Sequence, residues 1–166
     1  SKTISNPFLQ ELIRFDFQQL PISEEDKSHS WMVDIHQIRT VATAVESGEV
    51  TPEGIHHDEN DFVWIHLISR ENVTGGINGI YNNEQKPLES CTLSKNMDSI
   101  VFWDPKVMHA VTSMAPKDNT RDAIRDVVLI CFTHCPGLEP PTGNPVLDYK
   151  EIKANINPPA LVKQSF

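Results

Sequence analysis

The run His56-His57-Asp58 places an imidazole and a carboxylate two residues apart. On a strand or its extended edge, residues i and i+2 point to the same face. One nitrogen of His56 and one oxygen of Asp58 then reach the same point in space. His109 lies near the start of a later apolar run, and a chain that crosses a barrel several times brings it alongside. Two imidazoles and one carboxylate occupy one face of an octahedron and leave the other face open. That set suits Fe(II) and O2 chemistry. Zn2+ accepts the same ligands for hydrolysis, and a His-x-Asp run is common in surface loops, so the three residues alone leave the chemistry open. His57 falls on the opposite side and is expected at the surface or behind the ligands. His66 shares the parity of Phe62, Trp64 and Ile68 and reads as a core histidine with a satisfied ring. His36 fits either role.

Arg125 opens the apolar run Arg125-Asp126-Val127-Val128-Leu129-Ile130-Cys131-Phe132. Parity groups it with Val127, Leu129 and Cys131. An Arg at the start of a strand usually caps a sheet edge in water. Facing inward, it is a buried cation that needs an anion. A dicarboxylate co-substrate would supply one in the fork geometry that Arg favours. Arg121 is the alternative, but it follows the loop-like run Lys117-Asp118-Asn119-Thr120. Gln37 and Arg39 share one face of an early strand and either meet water or line a pocket. Cys131, His134 and Cys135 have the wrong spacing and too few members for a structural zinc site.

The elements that must position these groups are mostly strands. Residues 6–19 read as a helix: Asn6 caps, Pro7 suits the first helical position, and Phe8, Leu9, Leu12 and Ile13 recur at three and four. Residues 21–30 read as a loop. The period then shortens, giving strands over 31–41, 62–69, 77–81, 88–94, 99–103, 107–112 and 125–133. From Pro136 onward the chain carries six prolines and is expected to run as an extended surface tail over 136–166, with a short helix near 148–154. One front helix and many short strands predict a mainly β sandwich or barrel. Helices alternating with strands, which a parallel sheet needs, are absent from the pattern.

The 166 residues fit one domain, and 39% hydrophobic with 22% charged residues is an ordinary globular composition. With 23 acidic against 14 basic residues, the net charge is −9. That balance disfavours binding to nucleic acid or to an anionic membrane surface. The longest apolar stretch, 127–132, is far shorter than a membrane span. Three cysteines argue against a disulfide framework and suit a reducing, cytoplasmic setting. The chain does not begin with Met, so a processed or trimmed form is expected. A homo-oligomer is compatible with the sequence, though no feature demands one.

In this order the stretches resemble the L-isoleucine dioxygenase family, Fe(II)- and 2-oxoglutarate-dependent hydroxylases of free amino acids. The similar segments are PFLQELIRFD from Pro7, DIHQIR from Asp34, IHHD from Ile55, FVWIHLI from Phe62, Gly75-Gly76, VMHAVT from Val107 and RDVVLICF from Arg125. They run in family order over about residues 7–133. The resemblance implies a double-stranded β-helix (a cupin-like jelly roll) with an N-terminal buttressing helix. It implies Fe(II) held by His56, Asp58 and His109, 2-oxoglutarate anchored by Arg125, and O2 as oxidant. It leaves Gln37 and Arg39 as candidates for substrate binding. Cys131 stands where a Thr is expected in the family. The implied reaction hydroxylates an unactivated C–H of a small substrate, an aliphatic L-amino acid or a derivative, and releases succinate and CO2. A carboxylate at Asp58 points to hydroxylation; a halogenating relative would carry a small residue there. Family members carry more N-terminal chain, so part of a substrate lid is expected to lie outside this sequence. The rival readings are a zinc-type hydrolase or isomerase and a non-catalytic ligand-binding barrel.

Overall fold

The computed structural model describes residues 5–138. The chain divides into two compact units, one formed by Ser1–Ser30 with Pro136–Phe166, the other by Trp31–Cys135. In the first unit, helix α1 covers Pro7–Gln19. Asn6 caps it by accepting from the amides of Phe8 and Leu9, and Pro7 sits in the first turn. Residues 21–30 are not all loop. A one-turn helix, α2, spans Glu24–Lys27. Ser23 starts it, accepting from the Asp26 amide at 3.0 Å and donating to the Asp26 carboxylate at 2.7 Å. The Ser-x-x-Asp spacing is the capping signal that a purely compositional reading of this stretch passes over. The Ser30 hydroxyl donates to the Leu138 carbonyl at 2.7 Å, tying the two chain segments of this unit together. The expected tail falls largely outside the described residues, as does its short helix.

The second unit is antiparallel β throughout. Its strands are β1 Trp31–Ala42, β2 Phe62–Glu71, β3 Val73–Gly75, β4 Asn78–Tyr81, β5 Pro87–Cys91, β6 Ser99–Trp103, β7 Met108–Val111, β8 Met114–Pro116 and β9 Ala123–His134. A 3-10 turn over Asp104–Lys106 separates β6 from β7. The strands form a four-stranded sheet in the order β1-β9-β2-β6, a three-stranded sheet β5-β4-β7 and the pair β3-β8. This is the expected jelly roll. The seven strands read from the sequence are all present within a few residues. The pair β3 and β8, three residues each, is too short to leave a periodic signal.

The core lies on one face of the large sheet. Val63, Ile65 and Leu67 of β2 pack with Val127 and Cys131 of β9, Phe102 of β6 and Leu93. Central position makes β2 buried on both faces as far as Leu67, which is why its sequence is continuously apolar rather than alternating. Register slips between Leu67 and Ser69. Ile68 is the unpaired residue of this bulge and is exposed, so it does not share the face of His66 as parity alone suggests. His66 itself is buried, with Nδ1 2.7 Å from the Ser99 hydroxyl and its ring stacked on Trp64. Among the described residues no helix is long and apolar enough to cross a membrane.

Candidate metal and co-substrate site

His56 and His109 meet through backbone. Each donates its amide to the other's carbonyl at 3.0 Å, an isolated antiparallel bridge between the β1–β2 connection and β7. The bridge sets the two rings 4.4 Å apart between centroids. Asp58 follows two residues later. Its Oδ1 lies 3.3 Å from His56 Nε2 and its Oδ2 lies 3.6 Å from His109 Nε2. One ligand atom from each of the three lies within 4.8 Å of the others, close enough to hold one ion.

The surroundings hold each of the three side chains in place. His56 Nδ1 is 2.9 Å from the Gly54 carbonyl, so this nitrogen carries a proton and Nε2 is the one turned toward Asp58. His109 is buried, with its ring stacked on Phe102 at 4.9 Å. Burial pushes its pKa down, against the pull of Asp58, which favours the neutral imidazole that a metal requires. The Asp58 amide donates to Oδ1 of Asp104 at 3.1 Å. Asp104 is almost fully buried and fixes the loop that presents Asp58. Asp58 Oδ2 is buried without a hydrogen-bond partner. An unpartnered buried carboxylate oxygen beside two imidazoles fits a divalent cation. His57 turns the other way, with Nδ1 3.8 Å from Asp104. Cys131 sits in the core, and burial, with Asp58, Asp34 and Asp104 nearby, pushes its thiol up to about 12. It stays protonated and does not compete as a ligand.

Arg125 points inward with Val127 and Cys131 and is 2% exposed. Its Nε and Nη2 are buried without an acceptor. Arg70 stands directly opposite on β2, and Thr40 opposite on β1. Burial first and Arg70 second lower the Arg125 pKa to about 10, and the group remains a cation at neutral pH. Arg121 is exposed in the turn before β9.

Gln37 and Arg39 are not brought to this site. Arg39 pairs with Asp126 and Thr40 with Arg125. Paired residues in an antiparallel ladder share a face, so the even-numbered Asp34, His36, Ile38 and Thr40 stand on the Arg125 face, while Gln37 and Arg39 stand on the other. The Arg39 guanidinium forks the Asp126 carboxylate at 2.7 and 2.8 Å on that outer face. The expectation that the pair lines a pocket is corrected by register, which the strand's own sequence does not contain. Sequence reading also passed over Asp104, Thr40 and Arg70, whose significance is their pairing partners.

The profile of the 2OG-Fe dioxygenase family matches residues 1–131. L-isoleucine-4-hydroxylase of Bacillus thuringiensis is 31% identical over 79% of this chain and 55% of its own length. 3(1)-hydroxy-L-isoleucine 4-dioxygenase of Pantoea ananatis is 32% identical over 64% of this chain and 46% of its own. The crystal structure of IDO from Bacillus thuringiensis superposes with a TM-score of 0.67 at 29% identity, covering 78% of this chain and 62% of that one. The chain thus spans about half the length of the curated relatives it matches. Family match, jelly roll and the His-Asp-His cluster agree: the chain belongs to the 2OG-Fe dioxygenase family, whose members use Fe(II), 2-oxoglutarate and O2.

Proposed function

We propose that this chain carries the site of an Fe(II)- and 2-oxoglutarate-dependent hydroxylase acting on a free aliphatic L-amino acid in the cytoplasm, within a single dioxygenase domain. His56, Asp58 and His109 hold the iron. Arg125 pairs with the distal carboxylate of 2-oxoglutarate. The carrying observation is the buried guanidinium of Arg125, with Nε and Nη2 lacking an acceptor, on the inward face of β9 whose Cys131 lies near the Asp58 carboxylate. A zinc hydrolase or a simple ligand-binding barrel has no use for a buried cation there, whereas a dicarboxylate co-substrate neutralises it. When bound, iron with 2-oxoglutarate and O2 supplies the oxidising power that breaks an unactivated C–H, with succinate and CO2 released.

The chain's own residues orient and exclude. Gly54 and Phe102 fix the two imidazoles, and Asp104 fixes the loop of Asp58. The apolar wall of Val63, Ile65, Leu129 and Phe102 keeps water from one side of the site. On the open side, β1 offers Asp34, His36 and Ile38 to the substrate. Asp34 has no polar partner among the described residues and is the carboxylate available to a substrate ammonium. The isoleucine-directed names of the relatives support an aliphatic amino acid.

The test is turnover with Fe(II), 2-oxoglutarate, O2 and a panel of aliphatic L-amino acids, reading succinate and the mass of the product. Amino-acid-stimulated succinate with a gain of one oxygen is expected, and Asp58→Ala and His109→Ala abolish it. Unchanged turnover in those variants, or activity with Zn2+ and no need for 2-oxoglutarate, contradicts the reading.

A further inference from the structure

Arg70 and Arg125 face each other directly across adjacent strands. Like charges at directly opposed positions destabilise a sheet, and here Arg125 is buried and Arg70 half-buried, which reduces the water that would screen them. Arg70 donates Nη2 to the Gly75 carbonyl, but its Nη1 is buried with no acceptor, as are Nε and Nη2 of Arg125. Burial lowers the pKa of both groups, and in Arg125 the charge of Arg70 adds to it. No carboxylate offsets the pair among the described residues.

The two side chains converge on Gly76. A Cβ there would lie 3.0 Å from Arg70 Nη1 and 3.6 Å from Arg125 Cδ. Gly76 also has a φ of +62°, so its lack of a side chain serves both the turn and the close approach of the cations. On the other flank, the buried Thr40 brings a hydroxyl to the same face. The arrangement therefore holds three orphan nitrogen donors from two guanidinium groups. A carboxylate offers about four lone-pair sites, enough to accept all three.

We propose that Arg70 is a second anion-binding residue, which with Arg125 forms a two-guanidinium clamp on one carboxylate of a dicarboxylate co-substrate. This rests on the reading of Arg125 as the 2-oxoglutarate anchor. The clamp gives the site its preference for diacids: a 2-oxo acid without a distal carboxylate leaves Arg70 Nη1 and Arg125 Nε and Nη2 without an acceptor. An anion between them turns their mutual repulsion into shared attraction.

Binding to the metal-free protein tests this without turnover. Titrations by calorimetry use 2-oxoglutarate, succinate and, as the control lacking the distal carboxylate, 2-oxopentanoate. Both diacids are expected to bind and to raise the melting temperature, and 2-oxopentanoate to do neither. Arg70→Gln weakens diacid binding by about 10- to 100-fold, the loss of charge-assisted donors. The same variant, free of ligand, melts higher than wild type because the like charge is gone. A merely structural Arg70 would give a lower melting temperature instead. Arg70→Lys keeps the charge without the fork and falls between the two in affinity, which serves as the readout if Arg70→Gln does not fold. Wild-type affinity in both Arg70 variants, with binding lost in Arg125→Gln, overturns the clamp and leaves the anchor standing. Wild-type affinity in Arg70 and Arg125 variants alike overturns both.

Discussion

At the scale of single residues, the site works by leaving chosen atoms unpaired while fixing everything around them. Asp58 Oδ2 has no partner, yet the Asp58 amide is held by Asp104 at 3.1 Å. Partners of this kind typically govern metal affinity by 10–100-fold. Asp104→Ala should therefore weaken Fe(II) binding by about 10-fold or more with all three ligands intact. Asp104→Asn keeps an acceptor oxygen and should restore most of it; equal Fe(II) affinities by anaerobic titration would argue against a positioning role. A second prediction separates the faces of β1. His36→Ala and Ile38→Ala should raise KM for the proposed amino-acid substrate, whereas Gln37→Ala should leave it unchanged. The opposite pattern would mean the register is misread. The candidate triad could be read from residue identity and the i, i+2 spacing of His56 and Asp58, and the structure brings His109 to them. Arg125 was legible because an arginine inside an apolar alternation is conspicuous. Gln37 and Arg39 misled because parity tells which residues share a face but not which face is inside. That answer lies in the pairing Thr40–Arg125, more than eighty positions apart in the chain.

At the scale of elements, β9 organises the molecule. It pairs with β1 on one side and β2 on the other, so it delivers Arg125 inward and Asp126 outward. Asp126 accepts from Arg39 of β1 and from the Ser69 hydroxyl of β2, linking three strands. Those donors, Arg39 foremost, hold the Asp126 pKa below the ordinary carboxylate value. A depressed folded pKa contributes stability above the unfolded value of about 3.9, lost as pH falls through the lower folded value. Asp126→Asn should thus lower the melting temperature at pH 7, and the difference from wild type should close below about pH 4. A difference independent of pH would assign the effect to packing. The β3–β8 pair makes a steric prediction. Gly75 has a φ of +75°, and a Cβ there would meet the Ser113 carbonyl oxygen at 2.2 Å. Gly75→Ala should cost at least about 1–3 kcal/mol in a denaturant titration. The strands of four or more residues were legible because they carry either an alternation or, in β2, a continuous apolar run. The short pair was not, because three residues specify no period and are held by neighbours distant in sequence.

At the scale of the whole molecule, a net charge of −9 coexists with a small patch of positive charge formed by the buried Arg125 and the half-buried Arg70. The fold brings two arginines from separate strands together at one register position and, elsewhere in the barrel, brings ligand atoms of His56, Asp58 and His109 within 4.8 Å of one another. Neither collection is visible in composition; both follow from antiparallel register and from β7 meeting the β1–β2 connection. The central claim is that the three ligands and Arg125 together bind iron and 2-oxoglutarate as one centre. Anaerobic loading with Fe(II), followed by 2-oxoglutarate, tests it most directly through the visible metal-to-ligand charge-transfer absorption. The band should appear in the wild-type protein, vanish in Asp58→Ala, and demand far more 2-oxoglutarate in Arg125→Gln. A folded, iron-loaded wild-type protein that shows no band at saturating 2-oxoglutarate would contradict it.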